Sequence, residues 1–115
     1  MSRPFDEKEL LERVDNDWEF LGETVQMLGT DGRSLMDEIR RATSAGDAAA
    51  LGRAGHTLKG MISNFCCPTA HAAAFEVEKI GKGGDLSAAP PAVNALADQL
   101  EALIAALNDF LAART

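Results

Sequence analysis

His56-Thr57-Leu58-Lys59-Gly60 combines an imidazole, an ammonium group one helical turn away and a residue without a side chain. Those residue types at that spacing suit a nucleophile that takes a phosphoryl group on nitrogen. On a helix spanning 47–65, Leu51, Leu58, Ile62 and Phe65 line one apolar face. His56 then sits roughly 200° around the helix from Leu58 and points outward. Gly52, Lys59, Gly60 and Ser63 are expected on the same outward face. Lys59 at i+3 is near enough for its ammonium to meet the oxygens of a phosphoryl group on the ring. Gly52 and Gly60, at i−4 and i+4, leave the imidazole approachable from both directions along the helix. Glycine inside a helix costs about 1 kcal/mol relative to alanine. Gly52, Gly55 and Gly60 together therefore need a reason, and for Gly52 and Gly60 the reading is access to His56 rather than core packing.

Glu78 joins the group through hairpin geometry. His56 lies ten residues before Cys66, and Glu78 lies ten residues after Pro68. An antiparallel hairpin turning at 66–68 brings the two to one level. Glu78 then accepts a hydrogen bond from the imidazole Nδ1–H, leaving Nε2 as the free nucleophile and supporting the ring as it gains positive character. Each residue has an ordinary reading by itself: a solvated histidine, a surface lysine, a surface carboxylate, small residues at a helix contact. Their joint occurrence at these spacings favours phosphotransfer.

The remaining punctuation supplies helices to hold this group. Asp6 and Glu9 read as a capping box with Phe5 and Leu10 as its hydrophobic staple, opening a short helix over roughly 7–14. Asp15-Asn16 offers the next N-cap. An apolar stripe of Leu21, Val25, Leu28, Leu35, Ile39 and Ala42 follows over 16–45, with Gly29-Thr30-Asp31-Gly32 as the place for a bend or break. Ala45-Gly46-Asp47 is a stop followed by a start. Cys66-Cys67-Pro68-Thr69 is a tight turn, because Pro68 cannot continue one helix but can open the next. A helix over 69–81 is expected to bury Ala73, Val77 and Ile80, and Gly81-Lys82-Gly83-Gly84 to end it. A loop over 85–91 leads to a last helix marked by Val93, Leu96, Leu100, Leu103, Leu107 and Phe110. The expected fold is all-α: an antiparallel up-down four-helix bundle with a short additional N-terminal helix, one domain over 1–115.

Composition agrees. The 115 residues are 46% hydrophobic, with one Trp, no Tyr and few β-branched residues to build a sheet. A net charge of −7 with no basic run makes nucleic acid and anionic membrane poor partners. No apolar run reaches the roughly 18–20 residues of a membrane span, and the first residues lack a signal-peptide stretch, so the expected place is the cytoplasm. Adjacent Cys66 and Cys67 bridge each other only in a strained ring and suit a reducing compartment. With His71 they form a superficial metal spacing that lacks a fourth ligand, and no metal is expected there. Trp18 reads as a core anchor and His71 as a surface residue.

Ala54-Gly55-His56-Thr57-Leu58-Lys59-Gly60, followed by Ser63-Asn64-Phe65, resembles the central helix of histidine-containing phosphotransfer (HPt) domains of two-component phosphorelays. The resemblance runs from about Phe5 to Ala112, and the turns at 45–47 and 84–86 sit where that family has them. It implies a phosphate-accepting His56, a phosphate-supporting Lys59, a small Gly60 and a His-orienting Glu78. The family often has a small residue where Met61 stands, and commonly glycine where Cys66 stands. Met61 is expected to pack inward beside Ile62; Cys66 is expected to alter the turn and the level at which Glu78 meets His56.

With no Gly-rich phosphate loop and no Asp/Asn metal constellation, the chain has no means of making phosphohistidine from ATP. The reading is a stoichiometric carrier without a cofactor of its own. Its partners would be response-regulator receiver domains, which supply Mg²⁺, and a hybrid histidine kinase. Docking is expected on a ridge of Gly52, Gly60 and Ser63, with residues 20–36 adding contacts and the chain a monomer. Two other readings use the same helices: the phosphoacceptor domain of a chemotaxis-type histidine kinase, and an interaction module that carries no phosphate.

Overall fold

A computed structural model describes residues 3–114, and among them helices alternate with short turns and no strand occurs. Helix α1 (Glu7–Arg13) starts where Asp6 accepts the Glu9 N–H at 2.9 Å, and the staple residues Phe5 and Leu10 are both buried. The next cap falls on Asp17, not on Asp15-Asn16. Asp15 and Asn16 take the left-handed conformation (φ 53° and 58°) to reverse the chain, a conformation Asp and Asn accept better than most residues. Asp17 then receives the Phe20 N–H at 3.0 Å and opens α2 (Trp18–Met27).

At the suspected break the chain does not break. Leu28–Gly32 forms one π-helical turn that passes directly into α3 (Arg33–Ala45). The wider i→i+5 turn advances the apolar stripe, so Met36 is buried and Leu35 only partly. Gly46 ends α3 in the left-handed conformation (φ 68°), and Asp47 caps α4 (Ala48–Ile62) by accepting the Ala50 N–H at 3.0 Å. A 3₁₀ turn, Ser63–Phe65, leads to Cys66, which holds φ 56°. That value explains why glycine suits this position and how cysteine there keeps the turn geometry, with the hairpin level preserved. Pro68 opens α5 (Pro68–Gly83), which ends at Gly84 (φ 84°). The loop expected over 85–91 is shorter: α6 (Ala89–Arg114) takes Pro90 and Pro91 into its first turn, where a missing N–H breaks no hydrogen bond.

Helix α4 packs most closely on α5; α3 packs on α4, α5 on α6, and α6 returns to α2 and α3. Leu21, Leu28, Ile39, Leu51, Leu58, Ile62, Leu96, Leu100, Leu103 and Leu107 form the solvent-free centre. Trp18 is partly buried and stacks on Phe110, centroids 5.1 Å apart, at the end near α1. Helix α5 is rotated from its expected face: Ala70, Ala74, Val77 and Gly81 point inward, and Ala73 and Ile80 are only partly covered.

That rotation comes from a glycine crossing. A Cβ built on Gly81 would enter the backbone of Gly52, and one on Gly55 would stand 3.0 Å from the Glu78 nitrogen. Gly52 is therefore buried, contrary to its expected outward place. Because α5 lies across this stripe, Gly52 permits close helix approach, and it is not part of an exposed docking ridge.

Candidate functional site

His56 occupies the third turn of α4, with its side chain 66% exposed. The opposite face of that turn is anchored by Leu51, Leu58 and Ile62, all fully buried, so the register of the core forces the imidazole out. Glu78 reaches it from α5. This carboxylate is 2% exposed, and its Oε2 accepts the His56 Nδ1–H at 3.0 Å. With Nδ1 facing a carboxylate, that nitrogen keeps the proton and Nε2 presents its lone pair. The level match expected from the hairpin holds.

Two ammonium groups hold the same carboxylate. Lys59 Nζ lies 2.7 Å from Oε1, which has no aligned hydrogen bond and is compensated by that charge. Lys82 Nζ lies 2.6 Å from Oε2. The Lys59 ammonium and then that of Lys82 hold the Glu78 carboxyl down at about 2, against the opposing pull of burial. Lys59 is 21% exposed, and its ammonium also stands 4.8 Å from the centroid of Phe75, an exposed ring on α5 that Lys79 approaches at 5.0 Å from its centroid. Lys59 is thus held between the Glu78 carboxylate and the Phe75 ring.

Gly60 and Ser63 are exposed as expected. A Cβ on Gly60 would meet nothing within 4 Å, and the Ser63 hydroxyl donates back to the Gly60 carbonyl at 2.7 Å. On the other side of His56, Gly52 and Gly81 floor an open groove of about 510 Å³ with Arg53 and Lys82 on its walls. Met61 is partly buried against the core. His71 sits with Glu9, Cys66 and Cys67 around a shallow hollow away from His56. Burial pushes the Cys66 thiol up, and among the described residues no three His, Cys, Asp or Glu side chains converge as metal ligands would.

Lys82 and Phe75 are not among the site residues expected from the sequence. Lys82 had a signal, since it stands at i+4 from Glu78, the spacing of a helical ion pair. Phe75 had none, because its value depends on which helix lies beside it.

A pH dependence follows from Glu78. Its carboxyl is depressed in the folded chain, so its stabilising contribution is fully present above the ordinary carboxylate value near 4.5. That contribution is lost as pH falls toward about 2. The stability gap between the parent chain and Glu78→Gln is expected to be constant at pH 6 and to close on acidification below about pH 4.5. Urea unfolding of both proteins across this range measures it; a gap that stays constant down to pH 2.5 would contradict the clamp of two ammonium groups on this carboxylate.

No curated protein matches the chain in sequence. A solved structure does match in shape: histidine-containing phosphotransfer protein B (HptB) from Pseudomonas aeruginosa PAO1 superposes with a TM-score of 0.87 over 96% of each chain, at 19% identity. A likeness at that identity speaks to the fold. The sequence evidence comes from the family model of the Hpt domain, which matches residues 23–106 and so takes in α4, α5 and every group bound to Glu78. That match covers most of the chain, and the chain belongs to the Hpt domain family, the phosphotransfer modules of phosphorelays.

Proposed function

We propose that His56 carries a phosphoryl group from the aspartate of one receiver domain to that of another. The observation that carries this reading is the Glu78 bond to Nδ1 of an imidazole that is itself two-thirds exposed. The Nε2 lone pair attacks the phosphorus of an aspartyl phosphate, and the P–O bond to the aspartyl carboxylate breaks with its electron pair leaving on that carboxylate. The ring becomes a cation, and the buried carboxylate beneath it offsets the new charge through the Nδ1–H bond. Reversal toward a second receiver returns the ring to its neutral form. The receiver supplies Mg²⁺ and the docking aspartate; Lys59 adds an ammonium to the phosphoryl oxygens; Gly60 keeps the approach open, and Ser63 borders it. A hybrid histidine kinase is the natural source of phosphate for such a relay.

The chain on this reading is a stoichiometric carrier, a cytoplasmic monomer and one domain. Contacts that pass from α3 through α4, α5 and α6 back to α3, across short connections, support the antiparallel up-down arrangement of four helices. The deciding experiment incubates the purified chain with a receiver carrying labelled aspartyl phosphate, then maps the modified residue. Label on His56 is the expected result; label elsewhere, or none, removes the reading.

Gly60 tests the access argument separately. With open space at its Cβ position, Gly60→Ala is expected to fold and to gain up to about 1 kcal/mol in helix propensity. Transfer from the receiver should nevertheless slow about tenfold, because a methyl group disturbs the approach of the two reacting atoms. Melting curves and single-turnover transfer rates report the two effects independently, and an unchanged rate would make Gly60 a bystander.

A further inference from the structure

The groups around His56 carry more positive charge than their own structure uses. One buried carboxylate, Glu78, faces two ammonium groups, each within 2.7 Å. With a neutral imidazole the cluster keeps one unneutralised positive charge. The two lysines are placed differently. Lys59 is 21% exposed, spans α4 to α5, and is packed against Phe75. Lys82 is 66% exposed, extends from the same helix as its partner, and has no aromatic contact among the described residues. Both ends of the Lys82–Glu78 pair stand on α5, so Lys82 is not needed to hold the helices together. Its ammonium and the His56 ring share one oxygen, Glu78 Oε2. It also lies on the wall of the groove whose floor, Gly52 and Gly81, brings no side chain into the space beside the imidazole. Arg53 adds a second positive charge on that groove and has no ion-pair partner among the described residues.

We propose that Lys82 is the mobile phosphate-binding cation of this site: once His56 is phosphorylated, its ammonium leaves Glu78 Oε2 for the phosphoryl oxygens in the Gly52–Gly81 groove. The exchange is driven by charge on both sides. The phosphoryl group brings up to two negative charges next to an ammonium on a flexible stem. At the same time the phosphorylated ring turns cationic and takes over the Oε2 acceptor through its Nδ1–H. Glu78 therefore never loses both compensating charges, since Lys59 stays on Oε1. Lys59 is the fixed member of the pair, with an N–H to spare for the phosphoryl group while it stays on Oε1, and Lys82 is the moving one.

This inference rests on His56 being the phosphoacceptor, and the test separates the two. The full chain is phosphorylated with phosphoramidate, whose P–N bond breaks as the Nε2–P bond forms and ammonia leaves, so no receiver docking is involved. The ³¹P resonance of the product is then titrated with pH. An ammonium on the phosphoryl oxygens lowers their second ionisation, and Lys82→Gln is expected to raise it by about one unit. Lys82→Arg should keep the parent value, and Lys79→Gln, an exposed lysine of the same helix paired with Glu76, should keep it too. A Lys82→Gln product that titrates like the parent overturns the Lys82 assignment while leaving His56 in place. A parent chain that takes no phosphoryl group on His56 overturns both. An equal shift in Lys79→Gln would mean a general field rather than a contact, and would also overturn the assignment.

Discussion

His56→Gln is expected to leave a folded chain that accepts no phosphate from a phosphorylated receiver. The ring is two-thirds exposed and makes one side-chain hydrogen bond, to Glu78. A glutamine amide at the same place can donate to that carboxylate, and no core residue changes its neighbours. Stability should therefore stay within about 1 kcal/mol of the parent. The chemistry has no substitute. His71, the other imidazole of the chain, lies on the first turn of α5 with Cys67 and Pro68, in a separate hollow that neither ammonium lines. Label should fall to background, by more than about a hundredfold, which is the range expected when a nucleophile is removed rather than weakened. Circular dichroism and acid-labile phosphate on the same preparations check the two halves. Equal labelling of parent and variant would move the acceptor away from His56.

The largest structural effect is expected at Gly81. Its Cβ would fall among the backbone atoms of Gly52, which cannot move aside as a side-chain end can. Gly81→Ala must push α5 away from α4 at the helix pair with the closest packing in the molecule. Overpacking of that kind costs about 3 kcal/mol or more, against roughly 1 kcal/mol returned by alanine's helix propensity. For a chain of this size the melting temperature should fall by about 10 °C. The site should suffer as well, because Glu78 and Lys82 ride on the displaced helix and His56 does not. Transfer by the folded fraction should drop even at low temperature. Gly22→Ala provides the comparison, since a Cβ there meets nothing within 4 Å; it should be neutral or stabilising. Similar melting of the two variants would contradict the backbone contact between Gly52 and Gly81.

These two residues mark how far the sequence could be read. The outward direction of His56 was legible because Leu51, Leu58 and Ile62 recur on one side of the same short segment. The cap at Asp6, the stop and start at Gly46 and Asp47, and the opening of α5 at Pro68 were legible for the same reason: each depends on atoms within a few residues. Even the pairing of His56 with Glu78 came from counting along a hairpin whose turn is local. Gly52 was misplaced because a helical wheel gives an angle on its own helix without saying what covers it. The cap at Asp17 was misplaced because two acidic or amide residues before it were needed for a chain reversal.

The chain's pattern alone determined an all-helical fold, the helix that bears His56, the outward imidazole and the identity of its carboxylate partner. Those are consequences of periodicity, capping and turn chemistry, which act over one or two turns. Tertiary structure alone decided that α5 crosses α4 on glycine backbone. From that crossing follow the rotation of α5, the burial of Gly52, the clamp of two ammonium groups on Glu78 and the groove beside His56. Depth of approach between two helices is set by what both lack at the contact, and no single stretch of sequence contains that information.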